Sequence, residues 1–410
     1  PGYVVRPLVP LCSLVLFFHL AGQLVSGLVT FQIMLGLEPI WALIITTIVL
    51  VVYVVLGGAH ADILTDSVQG FLMLLVAALT IVLVVVGFGV EGGFGGVVDS
   101  LRSQDENLVG ALNPATPLYH SWWSILAILL AHTPLGMLPH IGNKVWALRD
   151  DRDRSRFVWM AFGVGLTLGL LGIGGLLSRA ILGDALLQPG RTPNEALPAL
   201  FIELFPTWFA ALIGVGILSA IMSTADGLVV SSSQIIANDI YRRSIVPRLK
   251  RKMTGSEVDR QVLIISRWST VIVLLACMGL AWSTMNMNVA LLVWVGSGGM
   301  MAAFAGPLML GALWRGVTAR GAYAGLVLGM GTFVLLHSGI VWRIFDPAGL
   351  GPLSGVAVWL QGAPTGPCSR AARGALVSVA ATYVVSKLTQ PLSAQHLADV
   401  FGDPAQAGAE

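Results

Sequence analysis

Charged side chains are scarce in this sequence. Asp, Glu, Lys and Arg together make up 11% of its 410 residues, where soluble domains carry about 25%. With 56% hydrophobic residues, such a chain belongs in a bilayer as a polytopic helical protein. A net charge of +2 gives a nucleic-acid partner no support. Cysteine is sparse too. Cys12, Cys277 and Cys368 stand far apart and form no metal or redox pattern. No polar tract is long enough for disorder or a low-complexity array. No P-loop, HExxH, G-x-S-x-G elbow or dinucleotide fingerprint in a βαβ setting is found. The sequence therefore predicts neither an enzyme nor a bound cofactor. No cleavable signal pattern precedes the first apolar run. The chain opens at Pro1, and the expectation is that the N-terminal part of a longer protein is missing.

What the chain has in abundance is apolar runs. About 20 apolar residues cross the ~30 Å of hydrocarbon as a helix. Ten segments qualify, at about 10–31, 38–57, 66–90, 121–143, 157–180, 206–236, 262–283, 289–313, 321–340 and 373–389. With a cytoplasmic N-terminus, the basic stretches at 144–156, 237–261 and 314–320 all face inside. With Arg6 and Lys387 that side collects 16 of the 23 basic residues, against six outside. Arg267 falls within a span near its inner end. This asymmetry is the positive-inside pattern and predicts two cytoplasmic ends. The outer loops at 91–120 and 341–372 are long enough for short surface helices.

Intramembrane polar groups usually face a bundle interior or a wet cavity. The densest run is ILSAIMSTADGLVVSSSQIIANDIYRR, from Ile217 to Arg243. Helical spacing puts Ala220, Ser223, Thr224, Gly227, Ser231 and Gln234 on one stripe. Two readings stand. Two hydroxyls plus backbone carbonyls suit a weak, exchangeable sodium site, since hard cations want oxygen. Alternatively the hydroxyls bond the carbonyl four residues back, or hold helices together. In TDSVQ, Asp66 with Gln69 fits a helix N-cap and capping box, or a carboxylate at the mouth of an ion path. In AHTPLGMLPHIGNK, Pro134, Gly136, Pro139 and Gly142 interrupt an apolar span, as a kink or as the broken helix of a transporter. His132 and His140 read as satisfied core histidines. VGSGGMMAAFAGP reads as a close-packing stretch.

Taken in order, these pieces resemble the sodium:solute symporter family. YVVLGGAHADILTDSVQGFLML, LPHIGNKVWALRDD, LSAIMSTADGLVVSSSQIIANDIYR, GPLMLGALWRGVTARGAYAGLVLG and KLTQPLSAQHLADVFG carry the likeness over nearly the whole chain. It looks nearest to the bacterial branch of proline and pantothenate carriers. The resemblance implies an all-α integral membrane protein with the leucine-transporter-type inverted-repeat bundle. About ten transmembrane helices are then present, and the first two core helices are missing. The division would be 10–90 for the last three helices of repeat one, 121–313 for repeat two, 321–389 for peripheral helices and 390–410 for a cytoplasmic tail. By resemblance, the carbonyl of Ala220 and the hydroxyls of Ser223 and Thr224 match the family's sodium ligands. Asp66 matches an aspartate linked to sodium passage. Asp226 is implied as a cation-path carboxylate. Gln23, Thr133 and Ser297 stand on core helices that contact solute. The implied function is sodium-coupled symport of an amino acid, pantothenate or short carboxylate across the inner (plasma) membrane, with Na+ as coupling ion. The competing reading is a transporter-like sensor without net transport.

Overall fold

The computed structural model describes residues 8–116, 118–134, 136, 138–146, 148–249, 253–338 and 366–401. Arg6, Lys250, Arg251, Lys252, Arg343, most of the expected outer loop at 341–372 and the tail beyond 401 lie outside the described residues. All regular structure among the described residues is helical. The main helices are α1 (Leu16–Leu35), α2 (Pro39–Val86), α3 (Trp122–His132), α4 (Pro139–Trp146), α5 (Asp151–Gly169), α6 (Thr207–Gln234), α7 (Gly255–Thr284), α8 (Val289–Phe304), α9 (Ala319–Ser338) and α10 (Pro367–Lys387).

Among the described residues, eight segments are long and apolar enough to cross a membrane. They coincide with eight of the ten expected spans, so the chain is a multi-pass membrane protein. The two exceptions have physical reasons. The expected span at 121–143 is broken: α3 ends at His132 and the next described α-helix starts at Pro139, in keeping with the prolines there. The expected span at 373–389 lies in α10, a 21-residue helix. Arg370, Arg373 and Lys387, with Ser378, Thr382 and Ser386 on a buried stripe, make it too polar to qualify.

The 48 residues of α2 would make a rod of ~72 Å at 1.5 Å per residue, more than twice the hydrocarbon thickness. Gly58 breaks it, with φ 55° and ψ −152°, a conformation open in practice to glycine alone. The result is two spans, Pro39–Gly58 and Asp62–Val86, with no loop between them. The loop at 91–120 carries the expected surface helix, Gly93–Gln104.

The chain forms two compact units. One comprises Phe17–Asn113 and Pro139–Val293. Its core gathers Val76, Leu83, Leu101, Leu177, Leu200 and Phe201. The other comprises Pro1–Leu16, Pro114–Leu138 and Trp294–Glu410, with Ala127, Ala131, Ala302, Phe333 and Ala371 at its centre. The small residues of this second core work as expected from VGSGGMMAAFAGP. A Cβ added at Gly298 would meet Ala371 at 2.8 Å, and one at Gly299 would meet Val15 at 2.7 Å. On α9, Gly321, Gly325 and Gly329 recur every fourth residue against Ser378, Thr382 and Ser386 of α10. This small-xxx-small register lets two backbones approach closely.

Candidate functional site

The polar run of α6 begins with its hydroxyls half-buried at Ser223 and Thr224 and becomes fully buried from Ala225 to Ser233. Ser223 Oγ donates to the Ala220 carbonyl at 3.3 Å, and Thr224 Oγ1 donates to the same carbonyl at 3.4 Å. Three oxygens thus converge on one turn. Ser223 Oγ also approaches Met73 Sδ of α2 at 3.6 Å. Long, shared hydroxyl bonds of this kind are weak, so the hydroxyls can be redirected at little cost.

One turn further on, Asp226 is fully buried. Tyr53 Oη donates to its Oδ2 at 2.8 Å, and the Gly227 amide donates to its Oδ1 at 2.7 Å. Asp226 is not alone. Asp62 and Asp66, four residues apart on α2 and hence on one face, bring carboxylate oxygens within 4.8 Å of each other and of Asp226. Lys144 of α4 enters from the resumed helix after the break. Its Nζ donates to Asp66 and lies 3.8 Å from Asp62 Oδ2. Three carboxylates therefore face one ammonium. Asp62 Oδ1 and Asp66 Oδ1 are buried with no hydrogen-bond partner among the described residues. Gly227 borders this group: a Cβ there would stand in ordinary contact, 3.5 Å from His140 Cβ, 3.8 Å from Lys144 Nζ and 3.9 Å from Asp62 Oδ1. Buried charge is costly unless paired, and here three carboxylates share one ammonium. Carboxylate oxygens gathered this closely are hard donors of the kind a cation takes.

The sequence expectations fall out unevenly. Asp66 and Asp226 do come together. Asp66 does not cap a helix, because the helix is already continuous at Asp62. Gln69 Oε1 is buried without a hydrogen bond, so no capping box forms there. His132 is a satisfied core residue, its Nδ1 2.7 Å from the Ile128 carbonyl. His140 is not: its Nδ1 is buried without a partner, and its ring stands edge-on to His19 at 6.1 Å. Gln23 is half-buried on α1. Thr133 caps α3 and donates to the Leu129 carbonyl at 3.0 Å. Ser297 is buried on α8.

Tyr53, Asp62 and Lys144 were missed. Asp62 had a signal, the i, i+4 pair in ADILTD. Lys144 was hidden in the count of basic loop residues. Tyr53 carried none, since a lone tyrosine in an apolar span is ordinary.

The family model described as the sodium:solute symporter family matches residues 4–329. The chain belongs to the sodium:solute symporter family. Membership places it with transporters rather than enzymes. It is 28% identical over 326 residues to a sodium/pantothenate symporter of Haemophilus influenzae, covering 79% of this chain and 63% of that one. It is 29% identical over 331 residues to a high-affinity proline transporter of Bacillus subtilis, covering 78% and 64%. The chain thus spans less than two thirds of the length of either relative. A solved structure, the substrate-bound outward-open state of a Na+-coupled sialic acid symporter, matches with TM-score 0.63 at 18% identity. It covers 93% of this chain and 74% of that one. At that identity the match shows the fold, which is the leucine-transporter type expected of this family.

Proposed function

We propose that the chain is the greater part of a sodium-coupled symporter for a small organic solute, working by alternating access. The observation that carries the reading is the convergence of the Ala220 carbonyl with the Ser223 and Thr224 hydroxyls, one turn from a buried carboxylate host. The relatives' names support an amino acid, pantothenate or a short carboxylate as solute. In this reading sodium exchanges water for those three oxygens in the membrane. It then leaves past Asp226, Asp62 and Asp66, where Lys144 holds the counter-charge when no ion is there. Gln23, Thr133 and Ser297 are proposed solute contacts. The division into 10–90, 121–313 and 321–389 as repeat-one, repeat-two and peripheral helices belongs to the same proposal.

Sodium drives uptake by favouring the outward-open, solute-ready state, because a ligand shifts an equilibrium only by its differential affinity. The membrane potential adds ~2.3 kcal/mol per charge per 100 mV. The test is Thr224→Ala in the full-length protein. Sodium titration of labelled proline and pantothenate uptake is expected to show half-saturation raised about tenfold, the ~1.4 kcal/mol of one ligand oxygen. Sodium dependence unchanged from the parent would remove the assignment.

A further inference from the structure

Arg267 lies on α7 and has no hydrogen-bond or ion-pair partner in the described structure. It stands six residues beyond Gln261, the last of the polar opening turns of α7. At 1.5 Å per residue that is ~9 Å into the apolar part of the helix. A guanidinium at that depth reaches back toward the headgroup layer and takes an anion there.

The surroundings fit that anion. Arg267 lines a cavity of about 150 Å³ with Ser233, Gln234, Ser266 and Thr270, between walls that include Val54 and Leu263. No carboxylate lines it. Two hydroxyl protons are already spent, Ser233 donating to the Val230 carbonyl at 2.9 Å and Thr270 to the Ser266 carbonyl at 3.1 Å, while Ser266 holds Ser233 Oγ only weakly, at 3.4 Å. The guanidinium and the Gln234 carboxamide are the donors left over. Gly57 and Gly58, at the break in α2, also line the cavity. Gln234 of the lining is the last residue of α6, just before the basic stretch 237–261, and Trp268, 65% exposed, follows Arg267 in sequence as an interfacial anchor does.

We propose that this notch binds the phosphate of an anionic phospholipid. Arg267 takes two phosphate oxygens with its planar fork. Gln234 takes a third contact, and an acyl chain runs along Val54, Val55, Leu56 and Leu263. Free phosphate offers the same head chemistry without the chain, so the two are separable.

The experiment is native mass spectrometry of the purified full-length protein titrated with phosphatidylglycerol, with phosphatidylcholine, and with phosphatidylglycerol in excess inorganic phosphate. The expected result is a phosphatidylglycerol adduct at least tenfold tighter than phosphatidylcholine, weakened about tenfold by Arg267→Gln and unmoved by millimolar phosphate. Arg260→Gln, on the exposed opening turns of the same helix, is expected to leave it unchanged. If Arg267→Gln does not give monodisperse protein, Arg267→Lys keeps the charge and loses the fork, and a loss of about threefold is expected. Equal retention in the parent and the Arg267 variants overturns the proposal. So does displacement by inorganic phosphate, which would make the notch a free-anion site. The result is independent of whether sodium couples to solute, because lipid adducts are read without transport.

Discussion

Lys144 illustrates what one side chain decides in a low-dielectric site. It faces Asp62 and Asp66, with Asp226 behind them. Breaking a buried pair costs ~3–5 kcal/mol because the remaining charge is uncompensated. Lys144 is 30% exposed, so the low end of that range applies. Lys144→Met is therefore expected to lower the melting temperature of the detergent-solubilised protein in choline chloride, and sodium chloride should recover much of the loss. Equal destabilisation in both salts would make Lys144 a structural pair only. This residue was in plain view in the sequence. Its role was not, because 78 residues separate it from Asp66 and only the fold brings them together. Ser223 and Thr224 were legible for the opposite reason: a local spacing within one helix and a family motif both single them out.

At the scale of elements, the packing of α9 on α10 turns on missing side chains. A Cβ at Gly325 would run into Thr382 Oγ1 and the Ser378 carbonyl of α10, whereas one at Gly331 meets nothing within 4 Å. Overpacking costs typically ~1–3 kcal/mol, while Gly→Ala in open helix gains ~0.4–1 kcal/mol. Gly325→Ala is expected to lower the melting temperature and Gly331→Ala to hold or raise it. Matching melts for the two variants would contradict the packing described. Most helices were readable as apolar runs of the right length. The α2 break was marked by Gly57-Gly58, and the 132–139 break by its prolines. The polar character of α10 was misjudged, because its Ser and Thr residues look compatible with a span until their burial against α9 is seen.

For the whole molecule, the distribution of Lys and Arg predicts that the 237–261 stretch faces the cytoplasm and the 91–120 loop faces outside. The three native cysteines are all buried, so added thiols report cleanly. Ser256 and Ser103 are both exposed. In intact cells an impermeant maleimide is expected to label Ser103→Cys and spare Ser256→Cys, with the reverse in inside-out vesicles. Labelling of Ser256→Cys in intact cells would invert the topology. That the chain is an all-helical membrane protein was accessible from composition and hydropathy, since the bilayer admits few backbone solutions; the type of bundle came only with the family resemblance. The carboxylate host was not, because it is assembled from α2, α4 and α6.

That assembly sets a clock on biosynthesis. At ~5–20 residues per second, a ribosome takes roughly 4–16 s to make the 78 residues between Asp66 and Lys144. The second half of α2 reaches the translocon with its two acidic groups before Lys144, the cation that meets them in the fold, has been made. The ion pair that Asp66 makes in the finished fold cannot close until Lys144 has been made. The seating of this span is then completed only after a later segment has emerged.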